Sequence, residues 1–166
     1  MRQFACLLAL VATPAFAADP APEITRPPAQ AQAVGAVHTL RQIPEACARI
    51  EGAFTGDAAA PYRHAVVRTS ERCQPRARLV DAAKAQPSTA SGWLLNDVVR
   101  VPRAECPGQQ AVVKVWRRPA GPPPARDGQG QLRVYADQAA QAAAGQAVAP
   151  AMYAAEVAVE GRACGG

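Results

Sequence analysis

Five cysteines, two histidines and thirteen carboxylates hold whatever covalent, metal or acid–base chemistry this chain can do. Their spacing argues against most of it. A structural zinc site draws its cysteines from closely spaced pairs. Cys47, Cys73, Cys106 and Cys164 are separated by 25, 32 and 57 residues, so they read as disulfide partners rather than ligands.

His38 and His64 are the only bases open to a nucleophile–histidine–carboxylate set. Ser70, Ser88 and Ser91 lack the G-x-S-x-G or S-x-x-K surroundings of a nucleophile. A catalytic reading therefore needs a concave site joining one histidine to an acid, and geometry decides that role. A glycosidase pair needs two acids facing across a cleft. Glu156 and Glu160 share one strand face roughly 13 Å apart, which reads as a solvated edge, and nothing recommends Asp97 or Glu105. No glycine loop of the phosphate-cradling kind is present, and no cofactor or metal is expected.

Arginine outnumbers lysine sixteen to two, and several arginines cluster. Arg68, Arg72, Arg76 and Arg78 fall in one stretch, followed by Arg100 and Arg103, then Arg117 and Arg118. Guanidinium forks match phosphate and carboxylate geometry, so the 68–78 cluster is the candidate anion-binding patch. Its ligand would be an anionic envelope polymer or an acidic partner protein. The competing reading is a solvated surface set by a GC-rich, arginine-favouring codon usage. Nucleic acid is not an expected partner, because no aromatic platforms interleave with the arginines.

The amino terminus assigns a compartment. Arg2 precedes the apolar run Phe4–Ala12, Pro14 breaks it, and Ala15-Phe16-Ala17 has the small-x-small pattern of signal-peptidase sites. Cleavage after Ala17 leaves a chain that starts at Ala18 in the periplasm or outside the cell. Cys6 lies inside the apolar run rather than at the cleavage point, which counts against a lipoprotein. The run is too short for a permanent span, and no later stretch is long and apolar enough. Loss of the signal leaves 17 basic and 13 acidic side chains, a formal +4, and an even four cysteines.

The elements that must position these groups are strands. Residues 18–34 are rich in Pro, Ala and Gln and have almost nothing to bury, so they read as a disordered leader. Val37–Ile43 is a first strand. Cys47–Thr55 alternates with period two and Tyr62–Ser70 returns against it, in a hairpin centred near residue 60. That register sets Cys47 opposite Cys73 and leaves Cys106 for Cys164. Leu79–Ala85 is ambiguous between strand and helical turn. Strands near 93–101 and 110–118 form a second hairpin, with Pro102, Cys106, Pro107 and Gly108 in its loop. Its expected register sets Trp93 opposite Trp116 and Leu95 opposite Lys114.

Pro119–Gln131 is irregular, Leu132–Ala136 is a short strand, 138–144 a short helix, and Tyr153–Cys164 a last alternating strand. The pattern predicts an all-β fold, a small antiparallel sandwich or barrel with long Pro/Gly-rich loops, at most one or two short helices, and two disulfides. The expected organisation is a signal peptide over 1–17, a leader over 18–34 and one domain over 35–166.

Functionally this leads to a non-enzymatic envelope binding or interaction module, a class that includes a hydrolase inhibitor presenting loop 102–108 or 119–131. The competing readings are an envelope hydrolase with an unrecognised site and a structural accessory of a surface complex.

Overall fold

The computed structural model describes residues 20–120, 129 and 150–164. The signal peptide, most of the 119–131 loop, the 132–136 strand and the 138–144 helix lie outside the described residues.

Among the described residues seven strands form two sheets. β1 (His38–Ile43), β2 (Ala48–Phe54) and β3 (Tyr62–Arg68) make a three-stranded antiparallel sheet in chain order. β4 (Ala77–Val80), β5 (Leu94–Arg103), β6 (Cys106–Arg118) and β7 (Ala151–Gly161) make a four-stranded sheet in the order β4-β7-β6-β5. The one α-helix among the described residues, α1 (Ala82–Ala85), starts where Asp81 accepts the Ala83 N–H at 2.9 Å. The ambiguous 79–85 stretch thus resolves into the end of a strand and a capped turn of helix.

Alternation in each strand builds the core. Leu40, Ile43, Ile50 and Phe54 of the first sheet meet Val99, Val101, Val113, Val115 and Tyr153 of the second. The chain is therefore the expected all-β sandwich. Among these strands one pairing is not antiparallel: β4 runs parallel to β7, with Leu79 beside Tyr153. A smaller cluster lies on the far face of the four-stranded sheet, where Trp93, Leu95, Trp116 and Ala154 pack together. Both tryptophans thus share one anchor, as their placement at the hairpin's open end predicts.

The register of the β5–β6 hairpin differs from expectation. Arg103 pairs with Cys106, so the turn is only Ala104 and Glu105. Pro102 then pairs with Gln110, which leaves Pro107, Gly108 and Gln109 of β6 without partners on β5. Proline lacks a donor and glycine a side chain, so both suit an interruption of the ladder. A second irregularity follows between Leu95 and Asp97. The result is Leu95 opposite Trp116 and Val98 opposite Lys114. Pro102, Cys106, Pro107 and Gly108 lie in strands, and 102–108 is no protruding loop.

Both disulfides form as expected, Cys47–Cys73 and Cys106–Cys164, with α-carbons 5.8 and 5.7 Å apart. The first is reached by a different route. Ala48 is paired with Arg68, so Cys73 lies beyond the ladder and returns through a turn. The Arg68 guanidinium holds that turn by donating to the carbonyls of Ser70, Glu71 and Cys73 at 3.0–3.1 Å. The second bridge joins the start of β6 to the chain after β7. There Gly161, at φ +92°, lies so close to Gly108 that a Cβ would collide with its carbonyl.

The leader corrects a sequence expectation. From Glu23 to Gln32 it runs beside β5, and Glu23, Ile24, Ala29 and Gln32 donate to the carbonyls of Leu95, Asn96, Arg100 and Pro102 at 2.7–2.9 Å. It then crosses to the other sheet, where the Gly35 N–H meets the Phe54 carbonyl at 2.8 Å. Composition argues for disorder because the segment has few apolar groups. Main-chain pairing with an edge strand and two ion pairs hold it instead.

Candidate functional site

The two long sides of the sandwich are unlike. On the β1/β5 side the leader and a buried ion-pair cluster close the gap between the sheets. Asp97 of β5 is fully buried, and Arg26 of the leader forks onto both its oxygens, with Nε to Oδ1 at 3.0 Å. Arg41 of β1 reaches the same carboxylate, Nε to Oδ2 at 3.1 Å. One buried charge therefore binds leader, first sheet and second sheet together. Beside it Glu23 accepts from Arg117 Nε at 3.1 Å and from Asn96 Nδ2 at 3.0 Å. No signal in the sequence distinguishes Asp97 from a surface acid, since its partners are 71 and 56 positions away.

The Arg117 hydrogen bonds hold the Glu23 carboxyl below its ordinary range, against a smaller opposing effect of burial. A depressed folded-state pKa contributes stability above the unfolded value and loses it as pH falls through the folded one. The pair is about one-third exposed, so the contribution is about 0.5 kcal/mol. Urea titrations of wild type and Glu23→Gln at pH 6 and at pH 3 should show that difference at the higher pH and a smaller one at the lower.

The β3 side is open. β4 ends at Val80, opposite Ala154, so β7 from Ala155 onward has no neighbour on that side among the described residues. β3 is the other sheet's edge strand. Between them lies a cleft of about 600 Å³. Its walls are Val66 and His64 of β3 on one side and Leu79, Ala155 and Val157 on the other. Val66 is 56% exposed, an unusual state for a valine on the core-facing side of a sandwich strand. A second hollow, lined by Ala46, Ala48, Val66, Pro75 and Leu79, continues the cleft toward the Cys47–Cys73 bridge.

Asp81 and Glu156 line the same cleft as His64. No hydrogen bond joins His64 to either acid among the described residues. Asp81 caps α1, and Glu156 accepts the Trp116 indole N–H at 2.7 Å. Glu156 is thus no merely solvated edge; it satisfies a buried donor. Among the described residues no serine, threonine or cysteine lines the cleft.

His38 is held on both sides. Its Nδ1 faces the Ala36 carbonyl at 3.0 Å and its Nε2 faces the Tyr62 hydroxyl at 2.7 Å. A carbonyl can only accept, so Nδ1 carries the proton and Nε2 accepts from Tyr62. Burial pushes the Tyr62 phenol well above its ordinary pKa, which keeps that donor protonated. The ring also lies over Gly52, where a Cβ would collide with it.

Of the arginine cluster, Arg68 and Arg78 both line the hollow beside the Cys47–Cys73 bridge. Arg68 is committed to the carbonyls of the 70–73 turn. The Arg76 main chain bonds the Glu45 carbonyl at 2.7 Å. Arg72 is exposed, and Arg78 is exposed on the outer face of β4. Among the described residues no three His, Cys, Asp or Glu side chains could together hold a metal ion, and no helix is long and apolar enough to cross a membrane. No family model, curated protein or solved structure matches the chain.

Proposed function

We propose that this chain is a binding module of the bacterial envelope that takes an extended segment of a partner protein into its open side. The observation that carries the reading is the apolar cleft beside the edge of β7, which has no strand neighbour there among the described residues. A guest strand laid against Ala155–Val159 would continue the row that β4 begins, its main chain bonding the free edge. Alternate guest side chains would enter the cleft between Val66, Leu79 and Val157, which favours apolar residues there. The intervening ones would lie beside Glu156 and Glu160 on the outer face of β7, which favours lysine or arginine. Export, with the mature amino terminus at Ala18, belongs to this proposal and is supported by the signal-like leader sequence and by both disulfides.

Selection from a displayed library of random 12-residue peptides tests the reading. The mature protein should enrich segments that alternate apolar and basic residues. Val66→Asp, which places a charge at an already exposed position, should weaken the selected peptide at least about tenfold. A hydrolase would draw on His64 and its neighbouring acids, so His64→Ala discriminates. Peptide binding should change less than about twofold in that variant. Absence of any alternating pattern, or equal binding by Val66→Asp, would overturn the proposal.

A further inference from the structure

The outer face of the four-stranded sheet carries a second concavity, on the other side of β4 from the cleft. Register places Arg78 and Arg118 on either side of Met152 in one cross-strand row. Arg118 lines the pocket that opens here, and Arg78 lies beyond Met152 and lines the hollow near the Cys47–Cys73 bridge. Lys84 of α1 comes to the same place from above the sheet, where α1 packs against the tryptophan cluster. A pocket of about 330 Å³ opens between them. Val80, Ala85 and Met152 form its walls, Trp93 is buried at its floor, and the exposed Lys84 and Arg118 stand at its mouth.

The three cations have no carboxylate or hydrogen-bond partner among the described residues. Among the described residues Asp81 is the one acid in the lining, and its carboxylate is turned to the Ala83 N–H as the cap of α1. Arg117, by contrast, is committed to Glu23 and faces the other way. An apolar cavity with an aromatic floor and a mouth of unpaired cations is complementary to an amphipathic anion. Its volume is at the lower end of small-molecule sites, which run from about 300 to 1,000 Å³. That size suits one short chain or one ring and is too small for a two-chain lipid or a polymer segment.

We propose that this pocket binds a small organic acid, with its apolar body against Trp93 and Met152 and its carboxylate between Lys84 and Arg118. The guanidinium of Arg118 supplies a bidentate fork and Lys84 a point charge, so the head group is recognised by charge and by geometry together. The site adjoins the cleft that receives the partner segment, sharing Val80 and Asp81 with it, but its cations Lys84 and Arg118 are not part of that cleft.

Calorimetric titration of the mature protein with octanoate tests the assignment, with octanamide as a neutral analogue of the same shape. Octanoate should bind at one site with a Kd below about 1 mM, and octanamide at least about tenfold more weakly. Lys84→Ala with Arg118→Ala should weaken octanoate by about tenfold or more. Arg72→Ala with Arg100→Ala removes the same net charge from elsewhere and should change it less than about twofold. All four positions are exposed or on the rim, and circular dichroism would show that both double variants are folded. Failure of octanoate to bind, equal binding of octanamide, or equal losses in the two double variants would overturn the site.

Discussion

Asp97→Ala is expected to lower the stability of the domain by about 3 kcal/mol in urea unfolding. The carboxylate is fully buried and receives two guanidinium groups from different parts of the chain. Removing one member of such a cluster leaves buried charge uncompensated, at a cost of about 3–5 kcal/mol in general. Arg26 and Arg41 keep 37% and 23% of their side-chain surface exposed, so both can regain some water and the lower end applies. The same change should free the leader, seen as faster amide exchange at Glu23, Ile24, Ala29 and Gln32. Asp97→Asn keeps an oxygen for one guanidinium and should lose less. A loss below about 1 kcal/mol for the alanine variant would mean that the leader docks without this anchor.

The second large effect is expected at Cys106–Cys164. Loop closure alone would make this bridge worth about 4.3 kcal/mol and Cys47–Cys73 about 3.6, both upper figures. Against a typical domain stability of about 5–15 kcal/mol, Cys106→Ala with Cys164→Ala should bring the protein close to unfolding at 37 °C. Its consequence is local as well. β7 forms one wall of the cleft, and the bridge holds the chain beyond Gly161 against the start of β6. Loosening it should release the far end of β7, seen as faster amide exchange over 155–161. Unchanged thermal unfolding in the double variant would contradict this.

Much of this architecture was legible in the residues, and the pattern of what was not is physical. Period-two alternation over 47–55 and 153–164 located β2 and β7, because a half-buried strand imposes that period. The cysteine pairing followed from strand direction alone and survived a wrong register, since the turn after Arg68 brings Cys73 back to Cys47. The register of β5 against β6 did not follow, because three unpartnered residues on β6 displace it and alternation does not count bulges. The leader was misread because composition measures apolar content, whereas Arg26, Glu23 and edge-strand carbonyls hold it. The open side was invisible: exposure of Val66 depends on where β4 stops, and nothing in ARLV marks Val80 as its end. The arginines show the same limit in reverse, with Arg68 absorbed by a turn and Arg78 set in one cross-strand row with Arg118, on either side of Met152.

The central claim is that the sandwich is closed on its β1/β5 side and built to receive a guest strand on the other. Amide hydrogen exchange with and without an enriched 12-residue peptide tests it most directly. Protection should rise over 155–159 of β7 and over 62–68 of β3, with 22–34 of the leader unchanged. Protection confined to the leader and β5, or none on β7, would contradict it.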